Sequence, residues 1–562
     1  MKLLRLIATP LFPVLTLLWM PLTGCDSSAP QKTDTSENRI EFAADAAGEG
    51  IATARDYLHA GEAYNREAPI PSQCYTKTDG KKNPCYTCHQ TYGDDRPNQM
   101  NDGFLQGSYA FSEFGVRNHW QNLFKDRRDY IASVTDEEIL DYVNQDNYTD
   151  LVRWMRSEQW QGVPAIIENL HLAEDAFDEY GLAKDGSRWV AFNYKPLPST
   201  FWPTNGSTDD VMIRLPDAFS EIDGVFSRDV YYANLGLLEM AVTEAQSIAT
   251  APLNEAAIDT DLNGDGVLSV STNRIQARAF YLGDASHVPV TRMLYPEGTA
   301  FLHTVRYLGV DESGRIYNAP RMKEVRYMVK ERFRPDTSLA SSYYKEAKEK
   351  HFGNLPGVSD HGDRGMNNKF GWLLWGFIED AQGDLRKQNH EEQFFCMGCH
   401  KSVGTTIDHT FAFPRKMAGA EGWGYIDLAT QPDAPSRGEF DGEFLQYLER
   451  VGGGDEFRQN REMLERWFNA DGSVKREKVQ NLDSIYELIT PSPERALALN
   501  KAYRAIVEEQ SYIFGRDTVI QPATNVFQTI DQAVPPLRPE HRHDWDIRLD
   551  WPEATESRWS YH

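Results

Sequence analysis

Basic residues are in short supply. The chain has 58 lysines and arginines against 84 aspartates and glutamates, a net charge of −26 at pH 7. No stretch gathers enough positive charge to track a phosphate backbone, which excludes a nucleic-acid partner. Long apolar runs are missing after residue 22, and none reaches the roughly 18 consecutive residues that a spanning helix needs. The sequence shows no clear repeat and no low-complexity run. His390-Glu391-Glu392-Gln393-Phe394 lacks the second histidine of a zinc-protease helix, which removes that chemistry. Cysteine is scarce too, with six residues in 562, and their positions carry most of the information.

The chain opens with Lys2 and Arg5, runs through a mostly apolar stretch at residues 6–22 broken by Pro10, Pro13 and Pro21, and reaches Leu22-Thr23-Gly24-Cys25. This resembles a bacterial lipoprotein signal: a charged start, an apolar stretch and small residues directly before a cysteine. The resemblance implies a signal peptide at 1–24, lipid on Cys25, and a lipidated tether at 25–50 that is rich in Ser, Thr, Asp and Ala. Acylation contributes about 0.8 kcal/mol per buried methylene, so two or more chains anchor firmly. The expected place is the bacterial cell envelope, periplasmic or surface-facing, with the body soluble. Asp26 resembles an inner-membrane retention signal of enteric bacteria, but the rule varies between lineages and the choice of membrane stays open. Loss of Lys2 and Arg5 takes the charge from −26 to −28.

Four further cysteines form two pentapeptides, Cys85-Tyr86-Thr87-Cys88-His89 and Cys396-Met397-Gly398-Cys399-His400. Both read C-x-x-C-H. At this composition the number expected by chance is roughly 0.002, from the cysteine frequency squared times the histidine frequency over all start positions. A four-cysteine zinc site is the main competitor, but 307 residues separate Cys88 from Cys396, and an all-cysteine site has no use for a histidine after each pair. A thioredoxin-like C-x-x-C needs a strand before it, whereas residues 77–84 read as a loop. The pentapeptides resemble those of dihaem c-type cytochromes, in which the motif is the haem attachment site. That resemblance implies two covalently bound c-type haems, thioether bonds from Cys85, Cys88, Cys396 and Cys399, and His89 and His400 as proximal iron ligands. Export agrees with it, since bacteria attach this haem outside the inner membrane. Cys74 is left over, eleven residues before Cys85.

The sixth iron ligand separates a carrier from an enzyme. A histidine or methionine closes the iron, and an open position admits peroxide, oxygen or another small molecule. Near the first motif stand Met100, His119 and Met155; near the second stand His390, His409 and Met417. No proline-flanked methionine loop of the small one-haem kind is evident, so bis-histidine ligation or an open site gains weight. His409, nine residues past His400 in a loop-like stretch, is the preferred distal ligand of the second haem. His303 lies in an apolar β stretch and reads as a core histidine. Two functions follow. One is a lipid-anchored dihaem protein transferring electrons in the envelope, with a redox partner such as a small basic cytochrome. The alternative is a dihaem oxidoreductase, peroxidase- or oxygenase-like, with one open haem acting on a small molecule. No catalytic set is recognisable.

The expected architecture is α+β and multidomain: two mainly helical, loop-rich c-type haem regions at 51–187 and 346–562 flanking a β-rich middle at 188–345. Residues 188–194, 211–215 and 304–308 read as strands, and 310–316 as a hairpin turn. Thr135 and Glu138 form a capping box ahead of a helix. Residues 371–378 read as a short buried segment, and 455–468 and 492–513 as helices. Asp261-Leu262-Asn263-Gly264-Asp265-Gly266-Val267-Leu268-Ser269 resembles the first nine positions of an EF-hand loop, with Asp261, Asn263, Asp265, the Val267 carbonyl and Ser269 as oxygen donors for one calcium ion. Position 12 is Thr272 instead of the bidentate glutamate, which weakens such a site.

Overall fold

The computed structural model describes residues 63–93, 100–199, 202–354, 357–401, 403–453 and 460–552. The signal peptide, Cys25 and the tether lie outside them. The described residues all fall in one compact unit.

Its centre is an antiparallel sheet. The strands are β1 (Val190–Ala191), β2 (Thr208–Arg214), β3 (Ala300–Val310), β4 (Ile316–Lys330), β5 (Ser359–Asp360), β6 (Met366–Asn367), β7 (Trp372–Glu379) and β8 (Leu385–Lys387). They lie in the order β1-β2-β3-β4-β7-β6-β5, with β8 also on β7. The long hairpin β3–β4 turns at Asp311, whose carboxylate accepts from the amides of Ser313 and Arg315, and at Gly314, which has φ +83°. Glycine takes that left-handed conformation without steric cost.

Strand alternation sorts the side chains onto two faces. One face presents Val211, Ile213, Phe301, Met328, Trp372 and Leu374 to the cluster that also contains Cys396 and Met397. The other presents Met212, Leu302, Val325, Tyr327, Trp375 and Phe377 to a second cluster with Leu151, Val152 and Met155. Burial of each large apolar side chain contributes roughly 1.5–3 kcal/mol, so a one-residue slip would exchange both faces and is strongly opposed.

The helices used below are α1 (Asp136–Val143), α2 (Thr149–Met155), α3 (Asp336–His351), α4 (His390–Phe394), α5 (Cys396–Cys399) and α6 (Pro493–Glu509). Thr135 caps α1 by accepting from the Glu138 amide at 3.1 Å, and Ser492 caps α6 at the Arg495 amide. The helix at Arg461–Trp467 covers the described part of the expected 455–468 element.

The fold expectation is corrected on two points. The β structure is not confined to the middle region, because β5 to β8 come from beyond residue 345 and complete the same sheet. Nor do the terminal regions form separate haem regions on either side of it. Thr76 bridges Val526, Gly80 bridges Leu537 and Arg117 bridges Thr529, which closes the two ends of the chain on each other. The pattern of local elements is insensitive to such distant pairing, so a β-rich middle is visible in the sequence and the shared body is not.

Candidate functional site

Each C-x-x-C-H segment is a single helical turn. Cys85–Thr87 is a 3-10 turn, entered through Pro84 and held by Asn83, whose side chain accepts from the Tyr86 amide at 3.0 Å. The second follows α4, which starts at a capping box between Asn389 and Glu392. In both turns the histidine amide donates to the carbonyl of the first cysteine, at 2.9 Å for His89 and 2.9 Å for His400. This spacing sets both thiols and the ring on one side of the turn. The described cysteines form no disulfide. Burial pushes the thiols up, Cys85 to about 12 and Cys399 to about 11. A redox dithiol needs the opposite shift toward thiolate.

The two turns adjoin one another, although they are far apart in sequence. The first faces a cavity of about 370 Å³ lined by Cys74, Cys85, Cys88, His89, Tyr109 and His351. The second faces a cavity of about 160 Å³ lined by Phe301, His303, Arg326, Cys396, Cys399 and His400. Cys88 and Cys399 contribute to the walls of both. The Thr405 amide donates to the Cys88 carbonyl at 3.2 Å, and the Gly404 amide to Asp102 Oδ2 at 3.1 Å. Approach is close enough that a Cβ on Gly398 would sit 2.0 Å from the Pro69 carbonyl.

The rings of His89 and His400 are held differently. His89 Nδ1 contacts Asp102 Oδ2 at 3.0 Å. Asp102 is buried and also accepts from the Gln90 amide at 3.0 Å. His400 Nδ1 donates to the His409 carbonyl at 2.8 Å. Burial pushes His400 down to about 4, which keeps it neutral. In each case Nδ1 is engaged and Nε2 remains for a metal.

His409 therefore serves His400 with its backbone. Its ring packs on Phe370, with centroids 4.4 Å apart, and its Nε2 lies 3.2 Å from the Tyr343 hydroxyl. Against the expectation that His409 supplies a distal ligand through its ring, it is the His409 carbonyl that reaches His400. The carbonyl is presented by a tight turn in which Ile407 and Thr410 exchange backbone bonds. Asp408 and His409 have φ +44° and +65°, which non-glycine residues rarely adopt. Buried Lys330 donates to both Asp408 oxygens at 2.6 Å, and Asp408 also accepts from the Tyr295 amide.

Most of the other sequence candidates stand elsewhere. Met155 belongs to the core on the far sheet face, His119 stacks on Phe114, His390 pairs with Asp360 at 2.7 Å, and the Met417 sulfur accepts from Asn193. Met100 is buried with Leu294, Leu339 and Phe370. His351, at the end of α3, and His303, on β3, join His89 and His400 in lining the cavities beside the two motifs. His303 reads from sequence as a core residue because its neighbours alternate apolar in a strand. Only register reveals that it faces Arg326 across the β3–β4 hairpin. Its Nε2 lies 3.2 Å from Asp209 Oδ2, which also accepts from the Tyr194 hydroxyl. Arg326 and Arg516 both donate to Glu324. Burial pushes Glu324 up, but the two guanidiniums outweigh it and hold the carboxyl at about 2.

The EF-hand-like loop lies apart, next to the small strand pair Ser247–Leu253 and Thr272–Gln276. Asp261 accepts from the amides of Gly264 and Gly266 and Asp265 from that of Val267. Asn263 donates to Asp265 and Thr272. Glu255, outside the loop, accepts from the amides of Leu262 and Ser269. Among the described residues no group of three or more His, Cys, Asp or Glu side chains is arranged to hold a metal ion. The loop amides thus engage the carboxylates of both Asp261 and Asp265.

A family model described as a "-like lipoprotein" matches residues 59–487. A protein of Aquifex aeolicus (strain VF5), named "Uncharacterized lipoprotein", is 31% identical over 528 residues, with 84% of this chain and 89% of that protein covered. The chain belongs to this lipoprotein family. The lipoprotein is a membrane-anchored protein of the bacterial cell envelope, and no helix among the described residues is long and apolar enough to cross a membrane. No solved structure matches it. Family membership corrects the assignment to the dihaem c-type cytochromes: the chain is a member of the lipoprotein family, and the cytochrome resemblance rests on the two pentapeptides alone.

Proposed function

We propose that the lipoprotein carries two covalently attached haems and transfers electrons between redox partners at the envelope membrane, anchored through lipid on Cys25. The observation that carries this reading is the adjoining pair of C-x-x-C-H turns. Each sets two thiols and an imidazole on a largely apolar cavity, with Nδ1 already engaged. Those residues fit the group: Cys85, Cys88, Cys396 and Cys399 would form its thioether bonds, and His89 and His400 would ligate its iron. When bound, the group cycles one electron between ferric and ferrous iron. The chain's own contribution would be to present the two sets of ligands on cavities that share Cys88 and Cys399 in their walls and to fix both imidazole orientations. The net charge of −26 favours a basic partner.

A second reading, an oxidoreductase acting on a small molecule, is favoured by one feature. The second cavity contains a histidine, His303, oriented by Asp209 and Tyr194, a pairing suited to moving a proton.

Expression with a haem-attachment system, followed by whole-protein mass and a pyridine haemochrome assay, tests the proposal. Two haems per chain are expected, falling to one in Cys85→Ala/Cys88→Ala and in Cys396→Ala/Cys399→Ala. A soluble, folded protein without covalent haem would overturn it. Cyanide binding to the oxidised protein then separates the two readings: two irons that ignore it leave the carrier alone.

A further inference from the structure

The two proximal histidines differ in what holds Nδ1, and the difference is electrostatic. Asp102 places a carboxylate oxygen 3.0 Å from His89 Nδ1. Its other contacts, with the amides of Gln90 and Gly404, are also N–H donors, so both oxygens serve as acceptors. His400 has a neutral carbonyl at the same position, that of His409 at 2.8 Å. A carboxylate behind a ligating imidazole raises its basicity, and a more basic ligand stabilises the more oxidised metal. The surroundings act in the same direction. Arg326 shares the wall of the second cavity with Cys396, Cys399 and His400, and the charged side chains of that wall are Arg326 and Arg415 against the one carboxylate of Asp209. Positive charge beside a buried metal centre disfavours its oxidised form. The wall of the first cavity carries Glu67 and Lys350, one charge of each sign.

We infer that Asp102 is a positioning and tuning residue that makes the first haem the low-potential, electron-donating centre, and that the second haem, backed by a carbonyl and flanked by Arg326, is the acceptor. This rests on the dihaem reading above. Electrons delivered at the first motif would then pass toward the second across the wall that Cys88 and Cys399 share.

Optical redox titration of the haem-loaded, full-length lipoprotein tests the inference. Two separate midpoints are expected in the wild type. In Asp102→Asn the lower midpoint should rise while the upper stays in place, and Asp102→Glu should restore much of the difference. Should Asp102→Asn lose one haem, the missing wave must be the lower one. Coincident midpoints in the wild type, a lower wave that ignores Asp102→Asn, or loss of the upper wave would each overturn the inference while leaving the dihaem reading intact. Absence of covalent haem would instead defeat that reading.

Discussion

At the residue scale the informative contact is Lys330 with Asp408. Both side chains are fully buried. Burial pushes the Asp408 carboxyl up and the Lys330 ammonium down, and each partner opposes the shift of the other. Their bonds secure the turn in which Asp408 and His409 take positive φ and from which the His409 carbonyl reaches His400. Removing one member leaves the other buried without its counter-charge, at a typical cost of about 3–5 kcal/mol. Lys330→Met is therefore expected to lower unfolding stability by that order, measured by denaturant titration. Lys330→Met/Asp408→Asn should recover much of the loss, since no isolated charge remains. A single variant as stable as wild type would show that the pair is not needed to hold the turn.

At the element scale the β3–β4 hairpin positions the second cavity. Register places Val211, His303 and Arg326 opposite one another on adjacent strands, with Val305 opposite Glu324. Glu324 falls from its ordinary value of 4.5 to about 2 through Arg326 and Arg516, which outweigh its burial. A depressed carboxylate contributes stability above its unfolded pKa and loses it as pH falls through the folded one. The contribution is on the order of 3 kcal/mol, complete above about pH 5 and lost by about pH 2. Glu324→Gln should thus melt below wild type at neutral pH, with the gap narrowing as pH falls across that window in thermal scans. A gap independent of pH would show that charge is not its source. This row also shows what the sequence makes legible. The strand readings at 188–194, 211–215 and 304–308 fall on β1, β2 and β3, and the cap at Thr135 follows from local chemistry. The role of His303 depends on which strand lies beside β3, and the role of His409 on a backbone turn stabilised from β4. Neither follows from spacing along the chain: nine residues past His400, His409 offers its ring by sequence, and the turn brings its carbonyl to His400 Nδ1 instead.

At the scale of the whole molecule the two C-x-x-C-H turns belong to one body, and Gly404 tests that claim. It follows the second motif by four residues, yet its amide donates to Asp102, the partner of the first motif's histidine. A Cβ at Gly404 would lie 2.3 Å from Asp102 Oδ1 and 2.4 Å from the Met100 carbonyl. The second contact is with backbone, which does not move aside as a flexible side chain does, so the segment must shift. If the motifs sat in independent regions, Gly404→Ala would disturb only the second. In a shared body the strain falls on Asp102, and through it on His89. On the dihaem proposal, the variant is expected to shift the lower redox midpoint or to reduce first-site haem content by mass, with the second site retained. A change confined to the second site would mean that the contact across the two turns does not couple them, and that each motif is held by its own surroundings.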